Sequence, residues 1–501
     1  MRRMRWILVL AVGLVSGLLM GCGEESAVVR STSVAVGLQL QPPVLDPTIN
    51  PAAVIAQITL INVYEGLTRI NETGAVLPGL AERWEVSPDG RTYTFFLRED
   101  VRFSDGTAFE SEDVRFTFAR NASPISKNPR RSYFTQMERV ETPDEHTVVI
   151  TLAEPNALFL FKLAENVSVI VAPETAATNA TNPVGTGPFR LNKWTPGRSV
   201  TLERNPLYRN ADSVSLDQVV FKFIGDAAAQ VTALQAGDID YLPNVAAVEQ
   251  AAQIAADERF RLLEGTTEGE TILAINNARA PFDNVLVRRA LAHAVDRAEV
   301  VDGAMFGFGT PIGSHFAPHH PAYVDLTGVY PHDQNRARQL LAEAGVENLE
   351  LTITLPPVTY AQRAGEIIAA QLAEIGVTVS LERVEWARWL ESVHKEANYD
   401  LTIVSHVEPM DIGIYADPGY YFRYDSAEFR ALLDAANRSV DLADQYRNWE
   451  LAQRKLAEDA VNVFLFQLPR VGAARVELEG LWNNAPMFLN DMAAVRWADG
   501  N

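Results

Sequence analysis

A single cysteine, Cys22, occurs in the 501-residue chain. No intrachain disulfide can staple the fold, so buried apolar surface and hydrogen bonding must hold it together. The length exceeds that of one ordinary domain, and two or three domains with sizeable cores are expected. Cys22 follows Arg2-Arg3, an apolar run over 6–19 and the small residue Gly21. That is the pattern of a secretory signal ending in a lipoprotein-type cleavage box, Leu19-Met20-Gly21-Cys22. The run is shorter than the about 20 apolar residues of a spanning helix. Gly23-Glu24-Glu25-Ser26 then turns polar at once. Cleavage is therefore expected, leaving Cys22 lipidated at the new N-terminus. The mature chain is expected outside the cytoplasmic membrane of a bacterium, held to it by acyl chains.

Hydrophobic residues make up 47% of the chain. No later stretch approaches about 18 uninterrupted apolar residues, so nothing beyond the signal is expected to cross a membrane. The formal net charge of -21 argues against nucleic acid, which needs basic stripes to neutralise phosphates. It favours solubility and cationic or zwitterionic ligands. Gly-x-Ser-x-Gly, Walker, His-Glu-x-x-His and cysteine-cluster motifs are all absent, so neither an enzyme nor a resident cofactor or metal is expected. His315, His319 and His320, with Asp325 and His332 further on, come nearest to a metal pattern. Pro318 and Pro321 make that segment irregular, so it reads as a surface loop.

The fold class expected is α/β. Residues 34–38 read as a first strand and 53–64 as a helix. From 77 to 152 the pattern is antiparallel β: Tyr93, Phe95 and Leu97 alternate with Thr94, Phe96 and Arg98, after a Ser87-Pro-Asp-Gly90 turn. Ser111 reads as the cap of a helix through 120. Residues 189–194 and 200–204 read as a hairpin. Val184-Gly-Thr-Gly-Pro-Phe is no phosphate loop, because Pro188 and a strand follow it. Further on, helices are expected over 284–305, 335–344, 360–375, 386–397 and 446–458, alternating with strands over 271–275, 349–355, 378–383, 401–404 and 463–467. Leu351-Thr-Ile-Thr-Leu, a helix and Val377-Thr-Val-Ser-Leu form a βαβ unit with a parallel strand pair.

Several segments together resemble family 5 extracytoplasmic solute-binding proteins, the group holding the dipeptide- and oligopeptide-binding components of ABC importers. The most specific is Pro78-Gly-Leu-Ala-Glu-Arg-Trp-Glu-Val-Ser-Pro-Asp-Gly-Arg-Thr-Tyr-Thr-Phe, running into Leu97-Arg-Glu-Asp-Val-Arg-Phe-Ser-Asp-Gly-Thr-Ala-Phe. Val63-Tyr-Glu-Gly-Leu, Val184-Gly-Thr-Gly-Pro-Phe, Arg204-Asn-Pro-Leu-Tyr and Pro281-Phe-Asp-Asn-Val-Leu-Val-Arg-Arg-Ala-Leu add to it. As residues, Trp84, Phe95 and Phe103 read as core, and Gly90, Gly106, Gly185 and Gly187 as turn positions. The resemblance implies a two-lobed periplasmic-binding-protein-like fold of the cluster C type. Signal 1–21 and tether 22–33 would precede lobe I (34–70, 185–275 and 471–501), with a β-rich module (71–184) inserted in it, and lobe II (276–470). Hinge crossings are expected near 273–277 and 466–470.

The resemblance also implies a peptide or similar small solute held between closing lobes, permease subunits of an ABC transporter as partners, and a monomer. In peptide binders of the family an acidic residue after a lobe II strand holds the ligand ammonium. Here Glu408 and Asp411 are both candidates, and Ser405-His406 stands where those relatives usually carry Gly-Trp. His406, Tyr415, Tyr420, Trp386 and Trp389 are candidate cleft residues, and Arg363 is the candidate partner of a ligand carboxylate. Oligosaccharides, opines and metal chelates are the alternative solutes, and a ligand sensor on the same fold is the alternative role.

Overall fold

The computed structural model describes residues 32–498. The expected signal, 1–21, and Cys22 lie outside the described residues. Among those described, no helix is long and apolar enough to cross a membrane.

One large mixed sheet organises the chain. Its order runs Thr378–Arg383, Glu350–Leu355, Leu401–His406, Phe260–Ile275, Asn462–Arg475, Tyr241–Leu242, Ser33–Leu38, Gln218–Phe223, Ser199–Arg204 and Phe189–Thr195. The two long antiparallel strands at its centre, Phe260–Ile275 and Asn462–Arg475, serve both halves. Toward one end Glu270–Ile275 pairs with Leu401–His406, and toward the other Tyr241–Leu242 pairs with Ala473–Ala474. Between the halves the ladder breaks: Thr266 faces Pro469 and Glu270 faces Gln467, so three residues oppose Leu468 alone. An irregularity of this kind bends a strand pair and weakens its ladder locally, as a hinge requires. The ladder break lies at 467–469 in the second long strand and at 266–270 in the first, and residues from 270 onward are already laddered into the far half.

The βαβ unit has the expected register, with Leu351 beside Val379 and Ile353 beside Leu381 in a parallel pair. Helix Thr359–Glu374 connects them and buries Ala361, Ala364, Ile368 and Leu372, the i, i+3, i+4 stripe of its apolar face. A separate four-stranded antiparallel sheet comprises Ala81–Val86, Thr92–Leu97, Thr147–Leu152 and Met137–Asp144. Phe95, Phe103, Val148 and Ile150 are fully buried in its core, and Trp84 packs on the edge.

The family motifs pack against one another. Arg209 donates from both guanidinium nitrogens to Glu65 at 2.7 Å, and Thr186 Oγ1 donates to the same carboxylate at 2.9 Å. Asn205 Nδ2 donates to the carbonyl of Gly187 at 2.9 Å. Gly185 and Gly187 do not have the positive φ of turn glycines. They are needed for close approach, since a Cβ on Gly185 would lie 2.0 Å from the Val63 carbonyl oxygen and one on Gly187 2.5 Å from that of Asn62. Gly90 and Gly106 do take positive φ, at 69° and 98°. Arg288 is buried and donates to the carbonyls of Phe282 and Asp459 at 2.8 and 2.7 Å.

Other local expectations change for identifiable reasons. The helix expected over 284–305 is two helices, Val285–Ala294 and Arg297–Met305, because Asp296 caps the second by accepting from the amides of Ala298 and Glu299. Glu110, not Ser111, caps Ser111–Ala122, in a reciprocal box with Asp113. Ser111 instead donates to the Asp144 carbonyl at 2.6 Å.

The histidine segment is irregular, as its prolines require, but it is not a surface loop. His315 and His320 are 2% and 6% exposed. Phe316, Tyr446 and Trp449 surround His320, and burial pushes its imidazole down to about 3. The unfolded chain takes up a proton there near pH 6.5, which the folded chain refuses, so this site's contribution to stability is lost as pH falls from 6.5 toward 3. Between pH 7 and 4.5 the wild type is expected to lose about 2–3 kcal/mol more unfolding free energy than His320→Gln, as measured by denaturant titration at both pH values.

Candidate functional site

A cavity of about 1440 Å³ opens between the two halves of the large sheet. Its floor is the hinge irregularity, Thr267, Glu268 and Gly269 with Leu468, Pro469 and Arg470. One wall is built from 243–249 and 485–490, extended by Pro129, Arg130 and 165–167 of the inserted module. The facing wall is 304–306, 357–360, Arg363 and 407–409. The volume exceeds the roughly 300–1,000 Å³ usual for small-molecule pockets, leaving room for a solute and water or for closure around it.

The walls mix charge with apolar surface. Arg130 and Glu408 form an ion pair across the cleft, with side chains 43% and 58% exposed. Behind Arg130, burial pushes the Glu165 carboxyl up to about 7, although the Tyr133 hydroxyl donates to it at 2.9 Å and Arg130 pulls the other way. On the facing wall Arg363 lies over the Phe306 ring, 4.5 Å from its centroid. Phe306 ends helix Arg297–Met305 in a left-handed conformation, which turns its ring outward, and Phe488 is half-exposed opposite. Tyr360 accepts from the Ser405 amide at 3.0 Å and so fixes the end of strand Leu401–His406, from which Glu408 projects. Arg470 is spent on structure: it donates to Tyr241 Oη and to the carbonyls of Trp482 and Asn484 at 2.8 and 2.9 Å, holding the C-terminal segment on this wall.

The two acids proposed for an ammonium contact separate clearly in space. Glu408 lines the cavity, whereas Asp411 turns inward to His315 Nε2 at 2.9 Å. Arg363 also lines the cavity. The remaining aromatic candidates lie outside its lining. Trp389 is 4% exposed and donates to Thr402 Oγ1 at 2.9 Å, and Tyr415 is 1% exposed with its hydroxyl 3.3 Å from Asn462 Nδ2. Trp386 stands on the surface, edge-on to Trp389. Tyr420 packs against His394 and Phe422, and its neighbour Tyr421 holds His406 Nε2 at 2.9 Å. Burial pushes His406 down to about 4, with Asp411 pulling the other way, so its ring is neutral at neutral pH. Tyr415, Tyr421, Phe422 and Tyr424 are buried in the core beside this loop, and Tyr420 packs on them half-buried.

Residues 75–426 match the family described as bacterial extracellular solute-binding proteins, family 5 Middle. The chain belongs to that family. It is similar to heme-binding protein A of Haemophilus influenzae, 34% identical over 361 residues, 65% of this chain and 65% of that protein's length. It is also similar to di/tripeptide-binding protein 3 of Pseudomonas aeruginosa, 30% identical over 428 residues, 78% of this chain and 79% of the relative. Among solved structures it is similar to AgaA of A. tumefaciens R10 in complex with agropinic acid, with TM-score 0.71 and 28% identity over 94% of this chain and 99% of that one.

For a family 5 solute-binding protein the interlobe cavity is the site to read, and sequence reasoning missed several of its residues. Arg130, Glu165 and Phe488 carried no local signal, since each reaches the cleft only because its segment is folded onto it. A partial cue existed for Phe306, in the Met305-Phe306-Gly307 stop of a helix that leaves a large apolar side chain unburied.

Proposed function

We propose that this family 5 protein captures a short peptide between its lobes and delivers it to the permease subunits of an ABC importer. The supporting observation is the Arg130–Glu408 ion pair lining the cavity from opposite walls. Without solute each charge neutralises the other. A zwitterionic peptide replaces both partners at once: its ammonium takes Glu408, and its carboxylate takes Arg130 or Arg363. Closure about 266–270 and 467–469 then excludes water, which strengthens both contacts, and gives the permease a loaded form to distinguish from the empty one. On this reading the protein acts as a monomer without catalysis, anchored outside the cytoplasmic membrane through lipid on Cys22.

An opine is the second reading. Ser405-His406 in place of Gly-Trp, and the likeness to AgaA bound to agropinic acid, favour it.

A thermal-shift series tests both, using dipeptides, tripeptides, their N-acetylated forms, agropinic acid and hemin. A ligand that binds only the folded state adds about 2.7 kcal/mol of stability at 100 times its Kd. Free peptides are expected to raise the unfolding midpoint and N-acetylated ones to leave it unmoved. A shift with agropinic acid or hemin alone would overturn the peptide assignment.

A further inference from the structure

Beneath the cleft, three side chains from three separate segments converge in the interior. Glu270 is the first residue past the hinge irregularity, His315 lies in the loop after Thr310–Pro311, and Asp411 follows strand Leu401–His406. Glu270 Oε1 is 3.1 Å from His315 Nδ1, and His315 Nε2 is 2.9 Å from Asp411 Oδ1. One possible ligand atom from each residue lies within 4.8 Å of the other two. Glu270 and His315 are each 2% exposed. Tyr415 and Phe316 stand against the His315 ring.

An imidazolium bridging two carboxylates would aim its N–H bonds along these contacts. Here it does not: Glu270 Oε1, His315 Nδ1 and Asp411 Oδ1 are all buried without a hydrogen-bond partner. Two carboxylates held this close in a dry pocket repel one another, and burial with the nearby Asp411 charge raises the Glu270 carboxyl well above its ordinary range. A divalent cation removes both penalties.

We propose that Glu270, His315 and Asp411 bind one divalent transition-metal cation of the Zn²⁺ or Mn²⁺ class. One imidazole nitrogen and two carboxylate oxygens are a donor set such ions accept, with bonds of about 2.0–2.2 Å. The ion takes one ring nitrogen of His315, and the other nitrogen keeps its N–H. His406 Nδ1, 3.8 Å from Asp411 Oδ2, backs the site from behind. The ion would tie the hinge strand to the loop that carries Glu408. The proposal is independent of which solute the cleft takes.

The test uses the full chain, stripped with a chelator and titrated calorimetrically with ZnCl₂ and with MnCl₂. One equivalent is expected to bind and to raise the unfolding midpoint, and Co²⁺ is expected to give visible absorption bands. His315→Gln and Asp411→Asn should each weaken binding at least tenfold and abolish the Co²⁺ bands. Asp411 is partly exposed, so its variant decides the matter if the His315 variant fails to fold by circular dichroism. Absence of stoichiometric binding, or binding unchanged in Asp411→Asn, would overturn the site and assign any uptake to surface carboxylates. Peptide thermal shifts are read separately on wild-type protein, so failure of the metal site and failure of the peptide assignment are distinguishable.

Discussion

Replacing Glu408 with glutamine is expected to weaken binding of a free-ammonium peptide by roughly 30- to 150-fold, about 2–3 kcal/mol, with little change in unfolding midpoint. The two halves of this expectation have separate causes. In the empty protein the Arg130–Glu408 pair is about half-exposed, and such pairs contribute only about 0–1 kcal/mol to stability. In the closed complex the same carboxylate is desolvated against the ligand ammonium, and its loss leaves that charge buried without a partner. Isothermal titration on wild type and variant measures the ratio. Arg130→Gln sharpens the reading: it should impair peptides with a free carboxylate while sparing their amides, because it removes only the other half of the exchange. An affinity unchanged in Glu408→Gln would move the ammonium site elsewhere in the cleft.

Trp389→Ala is expected to destabilise the protein by about 3–5 kcal/mol, the cost of deleting a large aromatic side chain from a packed interior. Trp389 is 4% exposed, edge-on to Trp386 and Tyr421, and its Nε1–H donates to Thr402 Oγ1, which in turn donates to the Thr354 carbonyl at 2.6 Å. Truncation would open a cavity and remove one donor from a chain linking two strands of the sheet. Trp386 is 41% exposed, and Trp386→Ala should cost about 1 kcal/mol or less. Chemical denaturation of the three proteins measures the contrast. A Trp389→Ala protein of normal stability but lost solute affinity would instead make that ring a cleft residue.

The contrast between Trp389 and Glu408 marks the limit of reading this chain as a string. Periodicity is a local property, so the βαβ unit at 351–381, the antiparallel module and the Phe189–Arg204 hairpin were legible from alternation and turn chemistry. Capping is local too, but Asp296 was passed over because the apolar stripe on either side of it runs on almost unbroken. Family membership was legible because motifs such as Val63-Tyr-Glu-Gly-Leu and Val184-Gly-Thr-Gly-Pro-Phe are bound to one another through Glu65, Thr186 and Arg209, a constraint that leaves its mark on residue identity.

Facing is not local. An aromatic run such as Tyr415 to Tyr424 has the same composition whether it walls a cleft or fills a core, and only packing against His315, His394 and His406 decided for the core. Arg130 and Glu408 are 278 residues apart, and no spacing rule joins them. The same holds for Glu270, His315 and Asp411, which the fold brings together although His315 by itself read as part of a surface loop. Local patterns of polarity and turn chemistry by themselves determined most of the strands and helices, and the motifs carried the resemblance to the family. Which side chains share a cavity was decided only by the tertiary structure, because burial and charge pairing depend on neighbours that chain connectivity does not specify.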